Sequence, residues 1–330
     1  MATTDKSRSP VHPPAPERAG LGLERVVLHK PLLWLAIAIA MIVLSIVAAI
    51  GFVFDPRETL GAPLWAKPLK FGLSITLYSL TLAWLIGMLK RRQRLAWWLG
   101  TISATFLAVE IVIIAGAAAL GTTSHFNATT PVSTTLWSIM GTSIVIVWAA
   151  AILVAALLWR HRIPDPARAL AIKSGLIVGI VGMGLAFLMT SPTAQQLSNL
   201  QGIAGAHTVG LPDGGAGLPL LGWSTVAGDL RIPHFVGMHA LQLLPLSALL
   251  LELLARRARP LRTPLVRRRI VAVLVTLYAA ITAVLTAQAL MGQSIVKPDA
   301  TVIAVTSVLF AAAASAIAIV VVTQRAKPTP

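Results

Sequence analysis

Eight stretches of this chain stay apolar for about 20 residues each, the length needed to cross the hydrocarbon core of a bilayer. They fall at 31–54, 71–89, 95–120, 134–159, 167–189, 235–255, 270–290 and 301–322. Helices satisfy their own backbone groups inside lipid, so the expected fold is all-α: a polytopic transmembrane helix bundle of about eight helices. With 56% hydrophobic residues and a mean hydropathy of +0.82, the 330-residue chain has more apolar surface than one soluble core can hide. The lipid bilayer is therefore its first expected partner. The first run is too long for a signal-peptide core, follows a basic leader and ends in FDPRE without a small-residue cleavage site, so it reads as a retained helix.

The net charge of +16 would suggest nucleic acid in a soluble protein, but its distribution points elsewhere. The leader holds five Lys and Arg, the loops KRRQR, RHRIPDPARALAIK and ARRARPLRTPLVRRR hold four, four and seven, and the C-terminal QRAK holds two: 22 of 27 on one side of the predicted membrane. Lys and Arg resist translocation and stay near anionic cytoplasmic lipid, which places both termini on the cytoplasmic side and needs no nucleic-acid partner. Residues 1–24, with four prolines among small and charged side chains, read as a disordered cytoplasmic tail. A membrane domain follows over 25–324, and 325–330 form a second short tail. On the opposite side, the segment 190–234 has eight glycines and exceeds the usual helix connection, so a cap or partly re-entrant loop is expected there.

The absence of cysteine excludes disulfides, thiolate ligands and a cysteine nucleophile, leaving His, carboxylate and neutral groups for any metal site. Such groups gather on the predicted outer side: Asp55, Glu58, His125, His207, Asp213, Asp229, His234 and Asp299, with His239 just inside the membrane. Glu110 lies near the middle of the third run, roughly 15 Å from its outer end, where an unpaired carboxylate is neutralised or needs a partner. By depth in a straight sixth helix, that partner is His239 or Gln242. Asp229 reads as an N-cap and Pro233 as a first-turn proline. His234 and His239 are about 140° apart around a helix, unlike an i,i+4 zinc pair.

These residues define the candidate site. Glu110 and His239 are the acid–base candidates. His125, His234 and His239 are candidate ligands for a metal ion or haem. Lys67, Lys70 and Arg231, with Arg57, are cations left outside against the topological rule, able to hold a small anionic or lipid ligand or a haem propionate. The plainer reading of Trp65 and Lys67 is interfacial anchoring. Asp229, Gln242 and Asn127 are candidate pocket-lining groups.

The segments WAKPLKFGLS, SHFN and GDLRIPHFVGMHALQLLPL resemble a group of bacterial, especially actinobacterial, polytopic membrane proteins. The resemblance extends along the whole chain and implies a helical membrane fold, with no activity, cofactor or catalytic residue to carry over. Three functions stay open: a metal- or haem-dependent membrane enzyme or redox protein with an outward site; a proton-coupled transporter using Glu110 and His239; and a membrane protein that binds a partner or supports structure without turnover.

Overall fold

The computed structural model describes residues 32–59 and 61–325; the expected tails, apart from Arg325, lie outside them. The helices in chain order are α1 (Leu32–Phe54), α2 (Ala66–Met88), α3 (Gln93–Ala119), α4 (Pro131–Trp159), α5 (Pro166–Gly184), α6 (Phe187–Thr190), α7 (Ala194–Ser198), α8 (Arg231–Met238), α9 (Ala240–Leu254), α10 (Pro264–Leu290) and α11 (Ala300–Arg325). Among the described residues seven spans are long and apolar enough to cross a membrane, with the short α6 and α7 continuing α5, and the bent pair α8–α9 adds an eighth. This is an all-α, multi-pass membrane architecture.

Local chemistry sets the helix starts. Thr130 caps α4 by accepting the Ser133 N–H, and Asp165 caps α5 by accepting the N–H groups of Ala167 and Arg168, each just before a proline that loses nothing in a first turn. α2 begins at Ala66, before the predicted 71, so Lys67 and Lys70 lie on its first turns.

The expected straight sixth helix is corrected: α8 and α9 meet at His239 with a 41° bend. The break lies between Gly237, which has no Cβ to stiffen it, and Pro245, which has no N–H for the helical ladder.

Helices α1 to α4 pack in chain order, each on the next, while α5 packs against α8, α9 and α10, and α11 packs on α10. Leu82, Leu107, Met140, Val147, Ile172 and Leu176 join the two groups in one apolar core. Val112, Val181, Leu246 and Val308 stay exposed around the outside, as lipid contact allows. The small residues of α5 let helices touch: a Cβ on Gly182 would sit 2.1 Å from the Gly237 carbonyl carbon, and one on Gly175 would sit 2.8 Å from the Ala240 oxygen.

The segment after α6 forms a cap that reaches every other connection at its end of the bundle. Thr208–Val209 pairs antiparallel with Gly228–Asp229. The Ala128 N–H donates to the Gly202 carbonyl at 2.7 Å and the Ala204 N–H to the Phe126 carbonyl at 2.8 Å, tying the cap to the loop after α3. Gly61, at φ +70°, faces the Gly214 carbonyl where a Cβ would lie 2.8 Å away. Ser294 donates to the Ser224 carbonyl at 3.3 Å, adding the connection before α11. At the opposite, basic end the connections are short, and two ion pairs, Arg168–Glu252 and Arg267–Asp165 at 2.7 Å, bind α5 to α9 and α10.

Candidate functional site

Glu110 lies on α3 with 1% of its surface exposed, and neither carboxylate oxygen has a hydrogen-bond partner. The charge it feels is that of Lys67, on the first turn of α2. No ion pair joins the two among the described residues, so more than 4.0 Å separates the ammonium from the carboxylate. A buried carboxylate in this position holds a proton or awaits a partner, since leaving the ion bare costs several kcal/mol.

The expected partners are corrected. His239 places Nδ1 3.2 Å from Gln242 Oε1, and its ring packs 4.4 Å from Phe235. These two residues satisfy each other, and neither hydrogen-bonds Glu110. The reason is the packing of the broken helix: α8 rests on α5 and α10, whereas α3 packs on α2 and α4. His234 is engaged too, with Nδ1 2.8 Å from the Gly182 carbonyl beside the glycine crossing. Among the described residues no group of three His, Asp or Glu side chains is placed to hold a metal ion. His125, His234 and His239 therefore do not form a ligand set.

The cations separate into engaged and free. Arg57 pairs with Asp55 at 2.7 Å. Lys70 donates to the Leu221 carbonyl at 2.7 Å, and Arg231 donates to Asp229 and the Gly222 carbonyl, both at 2.6 Å. Asp229 is buried and also accepts the N–H groups of Ser224 and Arg231 at 2.8 and 3.0 Å; the N-cap of α8 is Leu230 rather than the predicted Asp229, whose carboxylate instead ties the cap to the first residue of α8. Asn127 shapes its own loop, donating to the Thr123 carbonyl at 3.1 Å and accepting from the Thr129 hydroxyl at 2.6 Å. Of the four cations, Lys67 alone makes no hydrogen bond or ion pair among the described residues, and part of its surface is accessible. Lys70, Arg231 and Asp213 also act on its charge.

His125 joins this group from the loop after α3. Its ring centroid lies 5.7 Å from Phe71, 5.4 Å from Trp137 and 6.1 Å from Phe126, and its Nδ1 is 3.1 Å from the Ser124 hydroxyl. Burial, then the charges of Lys67 and His207, hold it well below the usual histidine range and therefore neutral near pH 7.

His207 and Asp213, counted in the sequence only as outer-side polar residues, belong to the site. Nδ1 of His207 lies 2.6 Å from Asp213 Oδ2, and Asp213 also accepts the N–H groups of His207 and Thr208. Although burial alone would raise it, hydrogen bonds from His207 and Thr208 hold the Asp213 carboxyl far below the usual carboxylate range, so the carboxylate is ionised and Nδ1 is the donor. The His207 ring packs 4.8 Å from Phe126. Burial lowers its affinity for a proton despite Asp213, and Arg231 and Lys67 add to that effect. The six-residue spacing of His207 and Asp213 carried no signal of this pairing.

Compared with known families, curated proteins and solved structures, the chain has no match. The group comprises a sealed acid, Glu110, a lysine without a hydrogen bond or ion pair among the described residues, Lys67, and two histidines of the capped end, His125 and His207.

Proposed function

We propose that the protein is a proton-coupled carrier of a small anionic solute, oriented with its capped end outside and its basic end in the bacterial cytoplasm. The observation that carries this reading is Glu110, fully buried without a hydrogen-bond partner, opposite the free ammonium of Lys67. Both groups are incomplete. The carboxylate or phosphate oxygens of an anion would accept from Lys67 and, when Glu110 carries a proton, from its O–H. Loss of that proton puts a negative charge beside the anion and drives it off, which couples the two movements.

The proton site thus uses Glu110 with Lys67 in place of the expected His239. Intramembrane acids that face a bundle interior support ion pathways, and Glu110 on α3 and Lys67 on α2 both belong to the first helix group, with Lys67 at its capped end. The 22 Lys and Arg of the basic segments and tails support the orientation, with both termini inside.

The test uses protein reconstituted in liposomes with a trapped pH dye and imposed gradients of acetate, succinate or inorganic phosphate. Proton movement driven by one of these anions is expected, and Glu110→Gln is expected to abolish it while the protein still folds. Absence of anion-driven proton movement, or its persistence in Glu110→Gln, overturns the reading.

A further inference from the structure

The connection between α9 and α10 carries seven arginines and no acid over residues 255–269. The fold bends it into a compact elbow. A 3-10 turn runs from Arg259 to Arg262. Arg262 donates through Nε to the Ala255 carbonyl at 3.4 Å, and the buried Arg267 donates to the Leu261 and Arg262 carbonyls at 2.9 and 3.2 Å. Arg267 also pairs with Asp165, which fixes the elbow to the start of α5. The other six, Arg256, Arg257, Arg259, Arg262, Arg268 and Arg269, are exposed and make no ion pair among the described residues. The two described acids at this end, Asp165 and Glu252, are already paired with Arg267 and Arg168.

Such an arrangement repels itself, and like charge held close destabilises a compact state. Arg268 and Arg269 sit in the second turn of α10, near the helix end that favours negative charge, and the first turn has no acidic side chain to answer it. Topology asks only that basic residues stay on this side of the bilayer. It does not ask that six free guanidiniums be drawn together on a hydrogen-bonded frame. Leu253, Leu254 and Leu265 stay exposed beside them, so cations and apolar side chains share one surface at the ends of the spans, where a bilayer places its phosphates. We propose that the elbow over 253–269 binds an anionic phospholipid, its phosphate held by guanidinium forks and its acyl chains lying against these leucines. An arginine fork matches a phosphate through two parallel N–H···O bonds, and a basic pocket between helix ends suits an anionic headgroup. The lipid supplies the negative charge that the elbow lacks. The assignment is independent of Glu110 and of any transported solute.

Lipid titration of the full-length protein in mild detergent, read by native mass spectrometry and melting temperature, tests this. Phosphatidylglycerol is expected to bind and raise the melting temperature, and phosphatidylcholine to do neither at the same concentration. The triple variant Arg256→Gln, Arg259→Gln, Arg269→Gln is expected to weaken phosphatidylglycerol binding about tenfold. The triple variant Lys90→Gln, Arg91→Gln, Arg94→Gln removes the same charge from the loop between α2 and α3 and is expected to leave binding unchanged. The three elbow arginines are exposed and unpaired, so their variant should keep the helical circular dichroism of the wild type. If it does not, Arg257→Gln with Arg268→Gln takes its place. Equal weakening in the two loops, no weakening in the elbow variant, or equal binding of phosphatidylcholine overturns the site. Glycerol phosphate, which has the charge without the chains, is expected to give no stabilisation at the same concentration. Stabilisation equal to that of the lipid would make this a site for free phosphate and overturn the lipid assignment.

Discussion

Gly182 and Gly237 meet backbone to backbone: a Cβ on Gly237 would lie 2.6 Å from the Gly182 Cα, and His234 bonds the Gly182 carbonyl at the same crossing. No real Cβ fits this approach without separating α5 from α8. Gly182→Ala is therefore expected to destabilise the protein by about 1–3 kcal/mol, the usual range for overpacking. Gly141→Ala, with nothing within 4 Å of the new Cβ, is the control and should be neutral or slightly stabilising in a helix. Thermal unfolding in detergent measures both.

Glu110→Leu is expected to stabilise the fold and abolish function together. The native carboxyl is buried without a partner, and removing an unsatisfied polar group of this kind recovers about 1–3 kcal/mol. A higher melting temperature with no anion-driven proton movement is the expected pair of results, the familiar exchange of stability for activity. A lower melting temperature would mean that the carboxyl has a partner after all.

Asp229→Ala should open the cap while leaving the spans intact. The carboxylate is buried, holds Arg231 and accepts the Ser224 N–H, so its loss strands a guanidinium and a backbone donor. Because 29% of the Arg231 side chain is exposed, the effect should lie near the lower end for a broken buried pair, about 3 kcal/mol. Limited proteolysis should cut within 190–230 in the variant and spare the wild type.

Acidification should loosen the capped face in two separate steps. His125 and His207 titrate below the ordinary value of 6.5 in the folded state, so the unfolded chain binds more protons there. Their contribution is complete above 6.5 and falls as pH drops towards their folded values. Asp213, depressed below its ordinary 3.8, contributes above 3.8 and is lost only in stronger acid. Amide protection factors in 121–130 and 202–230, taken relative to intrinsic exchange at each pH, should fall between pH 6.5 and 5. His125→Phe should flatten part of that response, and a flat wild-type profile would contradict it.

Spans were legible because length and apolarity suffice to specify a crossing, and a buried acid at mid-depth stands out in any apolar run. The surroundings of Glu110 were not legible. Depth along an assumed straight helix pointed to His239, but the break beside Gly237 and the preference of α8 for α5 and α10 turned that helix away. Lys67 was visible as a misplaced cation, yet nothing in its neighbours distinguished it from Lys70 and Arg231. What separates them is backbone carbonyls, Leu221 and Gly222, which accept from the latter two and have no side-chain signature. His207 and Asp213 pair through a turn whose geometry, set by the surrounding cap, is likewise absent from spacing alone.

The cap also assigns a mechanical role to the two ends of the bundle. At the capped end, backbone hydrogen bonds link the loop after α3 to the segment that leads into α8. At the basic end, the ion pairs of the described residues join α5 only to α9 and α10, and none reaches α1–α4. The two helix groups are thus held at the capped end by hydrogen bonds and at the basic end by the short turn from Trp159 to Pro166, which joins α4 to α5.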